Sequence, residues 1–146
     1  MTYRLVLTPD DNDTLLITAP AFPELTSYAD SRGDVNRVAI LALEEAIGAR
    51  MARNLDIPEP DFEPAEVLLA DWVEPSLQTT IKVALYKAQR ESGVTRAEMA
   101  RKLGWRREQV DRLFRPDHAS RLDQLQAGFA ALGKTVVTDI RPRIAA

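Results

Sequence analysis

Thr95-Arg96-Ala97-Glu98-Met99-Ala100-Arg101-Lys102-Leu103-Gly104-Trp105-Arg106-Arg107-Glu108-Gln109-Val110-Asp111-Arg112-Leu113-Phe114 is the stretch on which the reading of this 146-residue chain turns. Thr95 followed three residues later by Glu98 is a capping box, which starts a short helix over Arg96–Leu103. Gly104 stands where a tight turn needs a positive φ, and Gly104-Trp105-Arg106 forms that turn. A second helix runs over Arg107–Phe114 and is stopped by Pro116. Ala100 is small where the two helices cross, Met99 and Leu103 face the partner helix, and Val110 and Leu113 pack from the inside. Met99, Ala100, Leu103, Gly104, Val110 and Leu113 together are the core of a helix-turn-helix.

A helix of this kind lying in the major groove reaches base edges with its outward residues. Those are Arg106, Arg107, Glu108, Gln109 and Arg112. Arg107 and Arg112 suit bidentate contact with guanine, and Glu108 suits a cytosine amine or orients a neighbouring Arg. Thr95, Arg96, Arg101, Lys102 and Arg115 suit phosphate, which positions a protein without specifying sequence. Trp105 reads as an apolar lid at the turn and His118 as an exposed loop residue. A helical module that binds protein instead of DNA stays open on these residues alone.

Outward from this pair, Leu77–Arg90 is a helix with Leu77, Ile81, Ala84, Leu85 and Ala88 on one face and Lys82, Lys87 and Arg90 off it, closed by Gly93. Ser120 and Asp123 cap a further helix with Leu122, Leu125, Phe129 and Leu132 inward, ended by Gly133. Thr135-Val136-Val137-Thr138-Asp139-Ile140 is a β-branched final strand. Upstream, Pro58, Pro60, Pro64 and Pro75 make residues 56–76 a semi-rigid connector, with Glu66-Val67-Leu68-Leu69-Ala70 as a possible short strand. Residues 1–55 read as β-β-β-α. Tyr3, Leu5 and Leu7 alternate with Arg4, Val6 and Thr8, and Pro9 to Asp13 is a turn. Leu15–Thr18 returns, and Pro20 and Pro23 break the chain before a strand at Leu25–Asp30. A helix then runs to about Arg53, after the capping-box spacing of Ser31 and Asp34. The fold class is α+β.

Charge divides along the same line. Residues 1–76 carry 5 Arg and no Lys against 15 Asp and Glu, a net charge of −10; residues 77–146 carry 14 Lys and Arg against 7 Asp and Glu, a net charge of +7. The basic half suits a polyanion through counterion release, and the acidic half suits a basic protein. With no Cys and a single His, disulfide scaffolds, thiolate zinc sites, cysteine nucleophiles and multi-histidine metal sites are excluded. The acidic tip Asp10, Asp11, Asp13 lacks the Gly and distant Glu of a calcium loop, so no metal and no cofactor is expected. No apolar run approaches the roughly 20 residues that span a bilayer, and no apolar h-region follows Met1-Thr2-Tyr3-Arg4. The expectation is a cytoplasmic protein without membrane contact.

Four segments carry a resemblance: Lys82-Val83-Ala84-Leu85-Tyr86-Lys87-Ala88, Glu98-Met99-Ala100-Arg101-Lys102-Leu103-Gly104, Gln109-Val110-Asp111-Arg112-Leu113 and Ser120-Arg121-Leu122-Asp123-Gln124-Leu125. They resemble the C-terminal region of HicB antitoxins. The order of elements resembles that family throughout, though less specifically before Asp56. The resemblance implies a partial RNase H-like toxin-binding domain over 1–55, the linker 56–76, and a Cro/repressor-like helix-turn-helix DNA-binding and dimerisation domain over 77–146. It implies an antitoxin of a type II toxin-antitoxin system that sequesters a small, basic, HicA-type mRNA-cleaving toxin. It also implies repression of its own operon on double-stranded operator DNA, as a homodimer or higher even oligomer. No carboxylate set stands at RNase H-like strand positions, so no enzyme activity is expected. A one-component regulator whose first domain senses a small molecule stays open as the alternative, and a nuclease as a third.

Overall fold

The computed structural model describes residues 1–61 and 71–142, and within them the chain is a mixed α/β protein with small antiparallel sheets and five helices. The expected strand at Glu66–Ala70 falls outside the described residues. The first strand is split: β1 (Tyr3–Arg4) pairs with β5 (Trp72–Val73), whereas β2 (Val6–Pro9) pairs with β3 (Leu15–Ala19), and β3 with β4 (Phe22–Ala29). At Leu5 the chain changes partner, its N–H donating to the Asp71 carbonyl at 2.7 Å. The connector therefore adds a two-residue strand to the first half, at Trp72 and Val73.

The turn expected over Pro9 to Asp13 forms as one short 3-10 turn, Asp11–Asp13, with Asn12 and Asp13 at φ 62° and 60°. Pro23 does not break the chain. It lies inside β4, which is an edge strand, and the register of β3 on β4 shifts between Thr18 and Ala19 to admit it; proline is tolerated at an edge because no ladder donor is needed there. Ser31 and Asp34 do not form a capping box: the Ser31 hydroxyl donates to Asp34 Oδ2 (2.8 Å), and no side chain caps helix α1 (Val35–Ala52).

Helix α1 lays Val35, Ala39, Leu43, Ala46, Ile47 and Met51 across the sheet. Tyr3 and Phe22 meet edge to face with ring centroids 5.0 Å apart. Arg50 covers Phe22 and holds Glu24 by two hydrogen bonds.

Four helices follow: α2 (Leu77–Ser92), α3 (Arg96–Leu103), α4 (Arg107–Arg112) and α5 (Leu122–Ala131). The buried face of α2 differs from the expected one. Thr79, Lys82, Val83, Leu85, Tyr86 and Ala88 are buried, while Leu77 and Ala84 face solvent. The helix is covered on two sides, so its buried arc is wide. One side meets residues 54–59, where Tyr86 donates to the Leu55 carbonyl (2.7 Å), Arg90 to Asn54 and Asp56, and Lys87 pairs with Glu59. The other meets α4 and α5. Gly128 of α5 allows this approach: a Cβ there would lie 3.0 Å from Leu113 and 3.2 Å from Leu85.

The start of α5 also differs. Ser120 is buried and tied to α2, its N–H donating to Gln78 Oε1 at 2.6 Å; its hydroxyl turns to the Arg112 carbonyl (3.5 Å) and caps nothing, and Leu122 is outward. Residues 134–140 form no strand. A strand needs a partner, and none of the described strands lies beside this segment, where Val137 and Ile140 are almost wholly exposed.

Candidate nucleic-acid interface

Helix α3 begins with a complete capping box: the Glu98 N–H donates to the Thr95 hydroxyl (3.1 Å) and the Thr95 N–H to the Glu98 carboxylate (2.7 Å). That backbone N–H, followed by the Thr95 side chain, holds the Glu98 carboxyl below its ordinary pKa. The helix ends at Gly104 with φ 67°, the left-handed conformation the turn requires. The Trp105 N–H then returns to the Ala100 carbonyl at 3.0 Å, and its ring packs half-buried on the core. Helix α4 starts with the Arg106 N–H donating to Gln109 Oε1 (2.9 Å).

Beneath this pair, Met99, Ala100, Val110, Leu113 and Phe114 are buried and Leu103 is half-buried. Above it, Arg106, Arg107, Glu108, Gln109 and Arg112 are all exposed. Four of the candidate base-reading residues, Arg107, Glu108, Gln109 and Arg112, are thus exposed on one short helix, and Arg106 stands exposed just before it as its N-cap. Of the candidates for phosphate, Thr95, Arg101, Lys102 and Arg115 are exposed. Lys102 leans on the Ala131 carbonyl (3.3 Å), and Arg115 pairs with Asp117 (2.7 Å). Arg96 is not brought to the open surface with them. Its guanidinium stacks 4.5 Å above the Phe114 ring, its side chain is only 25% exposed, and it reaches Asp111 Oδ1 at 3.3 Å. Between Arg96 and Arg115 stand seven Lys and Arg against Glu98, Glu108 and Asp111, so the surface is basic.

Lys82, placed by the sequence on the polar side of α2, is wholly buried and anchors this unit from below. Its ammonium donates to the carbonyls of Arg112 (3.0 Å), Arg115 (2.7 Å) and His118 (2.5 Å). Three donors meet three carbonyls at and just past the end of α4, two of which, Arg112 and Arg115, also accept from the N–H groups of Arg115 and His118. Burial pushes the amine down to about 8, while Asp117 opposes the shift. The signal was present in the sequence: Thr79, Lys82, Val83 and Tyr86 share one helical stripe, so a lysine there lies among inward residues.

A cleft of about 680 Å³ separates α1 from this unit, lined among others by Leu41, Glu45 and Ala49 on one wall and Arg96, Phe114 and Pro116 on the other. The walls touch where Gly48 meets the Pro116 ring; a Cβ at Gly48 would lie 3.5 Å from it. Among the described residues no group of His, Asp and Glu could hold a metal ion, and no helix is long and apolar enough to cross a membrane.

The sequence profile of a family described as HicB_like antitoxin of bacterial toxin-antitoxin system matches residues 2–83. Antitoxin HicB of Pseudomonas fluorescens (strain Pf0-1) is 30% identical over 133 residues, covering 90% of this chain and 88% of that protein. Antitoxin HicB of Escherichia coli (strain K12) is 28% identical over 134 residues, covering 92% and 95%. Antitoxin HicB 1 of Photorhabdus laumondii is 26% identical over 140 residues, covering 96% and 87%.

Proposed function

Because the chain belongs to the HicB-like antitoxin family of bacterial toxin-antitoxin systems, we propose that it neutralises a HicA-type mRNA-cleaving toxin and represses its own operon, acting in the cytoplasm without enzyme activity or cofactor. In this reading residues 1–55, a partial RNase H-like domain, hold the toxin, and their acidity complements a small basic protein. Residues 77–146 bind operator DNA, with α3 and α4 as a helix-turn-helix and 56–76 as the link.

The observation that carries the DNA half is the solvent-facing row Arg106, Arg107, Glu108, Gln109 and Arg112 on a helix that is buried beneath through Val110. One such helix reads few base pairs, so the repressor works as a dimer or higher even oligomer on two half-sites about one helical turn apart. The dimer contact comes from the exposed β-branched segment 135–140, pairing with its copy across a two-fold axis, or from α5.

The toxin half is tested by co-expressing the chain with the product of the adjacent short reading frame. Joint purification, and restored growth of cells that the adjacent product alone arrests, are expected; two proteins that elute apart refute this half. The DNA half is tested by footprinting the region upstream of the gene, where two protected patches about one turn apart are expected. A chain ending at Lys134 should lose that footprint, and an undiminished footprint refutes the pairing of segment 135–140.

A second reading, a regulator that senses a small molecule, is favoured by the cleft between α1 and α4, whose volume is that of a ligand site. A ligand there would touch Arg96 and Asp111. It predicts a metabolite-dependent rise in melting temperature, which the antitoxin reading does not.

A further inference from the structure

Among the candidate base-reading arginines, Arg107 stands apart in how its pose is fixed. Its Nε donates to Asp111 Oδ1 at 3.1 Å, one turn along α4. The same oxygen accepts from Arg96 at 3.3 Å, and Arg96 is itself clamped over the buried Phe114 ring. The chain Phe114–Arg96–Asp111–Arg107 therefore runs from the core to the surface, and Asp111 is its hinge. Arg115 and Arg121 also pair with acids, but with Asp117 and Asp123, which are 69% and 62% exposed and lie in loop or at a helix start. Asp111 is 37% exposed and held from both sides.

The consequence is chemical as well as geometric. With Nε occupied, Arg107 keeps its two terminal nitrogens free and parallel, the fork that matches the O6 and N7 acceptors of guanine. An arginine held in that pose loses less rotamer freedom on contacting a base than one that is free. An aspartate beside a phosphate surface is otherwise unfavourable, since it repels the polymer. Asp111 stands in α4 next to Arg112, on a surface where Lys and Arg outnumber the acids, and a compensating role fits that position.

We propose that Asp111 is a specificity-determining positioning residue. Anchored by Arg96 on Phe114, it aims the Arg107 guanidinium at a guanine and so governs discrimination between operator and other DNA instead of overall affinity. This rests on the DNA-binding reading above. Two substitutions separate aiming from charge. Asp111→Ala and Asp111→Asn each remove one negative charge, but Asn keeps an acceptor oxygen for Arg107 Nε.

The test uses the full chain and the duplex that the wild-type protein selects from a randomised pool, with a scrambled duplex of the same composition as the reference. Circular dichroism of each variant verifies folding. For Asp111→Ala the ratio of affinities, selected over scrambled, should fall about tenfold. Its affinity for the scrambled duplex should stay level or rise, because a repelling charge is gone. Asp111→Asn should keep most of the ratio. Arg107→Ala should lose the ratio to the same extent as Asp111→Ala, and the double substitution should lose no more than Arg107→Ala alone. Equal ratios for the Ala and Asn variants, losses that add in the double variant, or equal weakening on both duplexes would each overturn the proposal while leaving DNA binding in place. A wild-type chain that enriches no sequence from the pool would overturn both this proposal and the DNA-binding reading beneath it.

Discussion

Replacing Lys82 by methionine tests the buried anchor under α4, because Met fills a similar volume without the ammonium. The charge is costly where it sits: burial lowers the amine from 10.5 to about 8. At about 1.4 kcal/mol per pH unit, that interval is worth on the order of 3 kcal/mol. Against this stand three hydrogen bonds to the carbonyls of Arg112, Arg115 and His118. Leaving the His118 carbonyl without a donor costs about 1–3 kcal/mol. The carbonyls of Arg112 and Arg115 also accept from the Arg115 and His118 N–H groups, and each loses a charge-assisted bond worth about 1.5–3 kcal/mol. The sum outweighs the relief of the buried charge. The Met variant should be less stable near pH 7 by about 1–3 kcal/mol. The pH dependence is sharper. Between pH 8 and 10.5 the unfolded chain holds a proton on Lys82 that the folded chain has released. Folding stability therefore rises with pH across that window in the wild type. The Met variant lacks this rise, so the gap between the two should widen by on the order of 3 kcal/mol from pH 7.5 to 10.5. Urea unfolding followed by circular dichroism at stepped pH measures the gap directly, and other titrating groups cancel in the difference. A gap that stays flat over this range, or a Met variant more stable than wild type at pH 7, would refute the account of Lys82 as a charged, triply bonded anchor.

Tyr3 governs the alkaline side. Burial, reinforced by the carboxylates of Glu59 and Asp61, pushes its phenol up to about 12. The unfolded chain loses that proton first, so stability should fall between pH 10 and 12. Tyr3→Phe should abolish the fall in urea titrations while costing about 1 kcal/mol at pH 7 for the hydrogen bond to the Pro58 carbonyl. Gly128→Ala gains helix propensity, but its Cβ would press on Leu113 and Leu85, both buried. The variant should melt lower, by about 1 kcal/mol net, and a higher melting temperature would mean that α5 retreats freely. Arg112→Ala should cost about 1–3 kcal/mol on the selected duplex and little on a scrambled one, whereas Lys102→Ala should weaken both equally and flatten the salt dependence.

Much of this was legible because it is local. The Thr95–Glu98 box and the positive φ of Gly104 depend on residues within a turn or so of one another, and short-range chemistry decides them; α4, expected to run to Phe114 and stop at Pro116, ends at Arg112. What escaped was decided by partners far away in sequence. Lys82 looked like a surface lysine because a hydropathy pattern counts an ammonium as polar wherever it falls. Only the convergence of carbonyls from 112, 115 and 118 makes an inward position tolerable. Leu77 and Leu122 looked inward because each begins an apolar series, yet each occupies the first turn of its helix and points past the neighbouring element. Pro23 looked like a breaker because sequence does not announce which strand lies at an edge. At the candidate interface the exposure of Arg106, Arg107, Glu108, Gln109 and Arg112 was readable from their polar and charged character. The Arg96–Asp111 link was not, since it joins two helices across a turn whose geometry had to be known first.

Helix α2 explains why these distant effects concentrate where they do. One side of it is fastened to residues 54–59 by Tyr86, Lys87 and Arg90, and the other carries Lys82 beneath the end of α4. Its start is fastened as well, since the Ser76 N–H donates to Glu44 of α1 at 2.8 Å. A helix bonded to three separate segments cannot turn about its axis without breaking contacts on another side. Its wide buried arc is therefore a consequence of position, and the lysine within that arc follows from the same cause. Where α4 ends, the carbonyls of Arg112, Arg115 and His118 converge on α2, and an apolar side chain there would leave His118 without that donor and the other two with a backbone N–H alone. Among side chains long enough to cross that gap, lysine alone offers three donors from a single atom, matching three carbonyls that converge on one point. The arginine fork would spread its donors in a plane and miss at least one of them. Lys82→Arg should consequently be destabilising despite keeping the charge, and a variant as stable as wild type in urea would show that the three carbonyls find other donors.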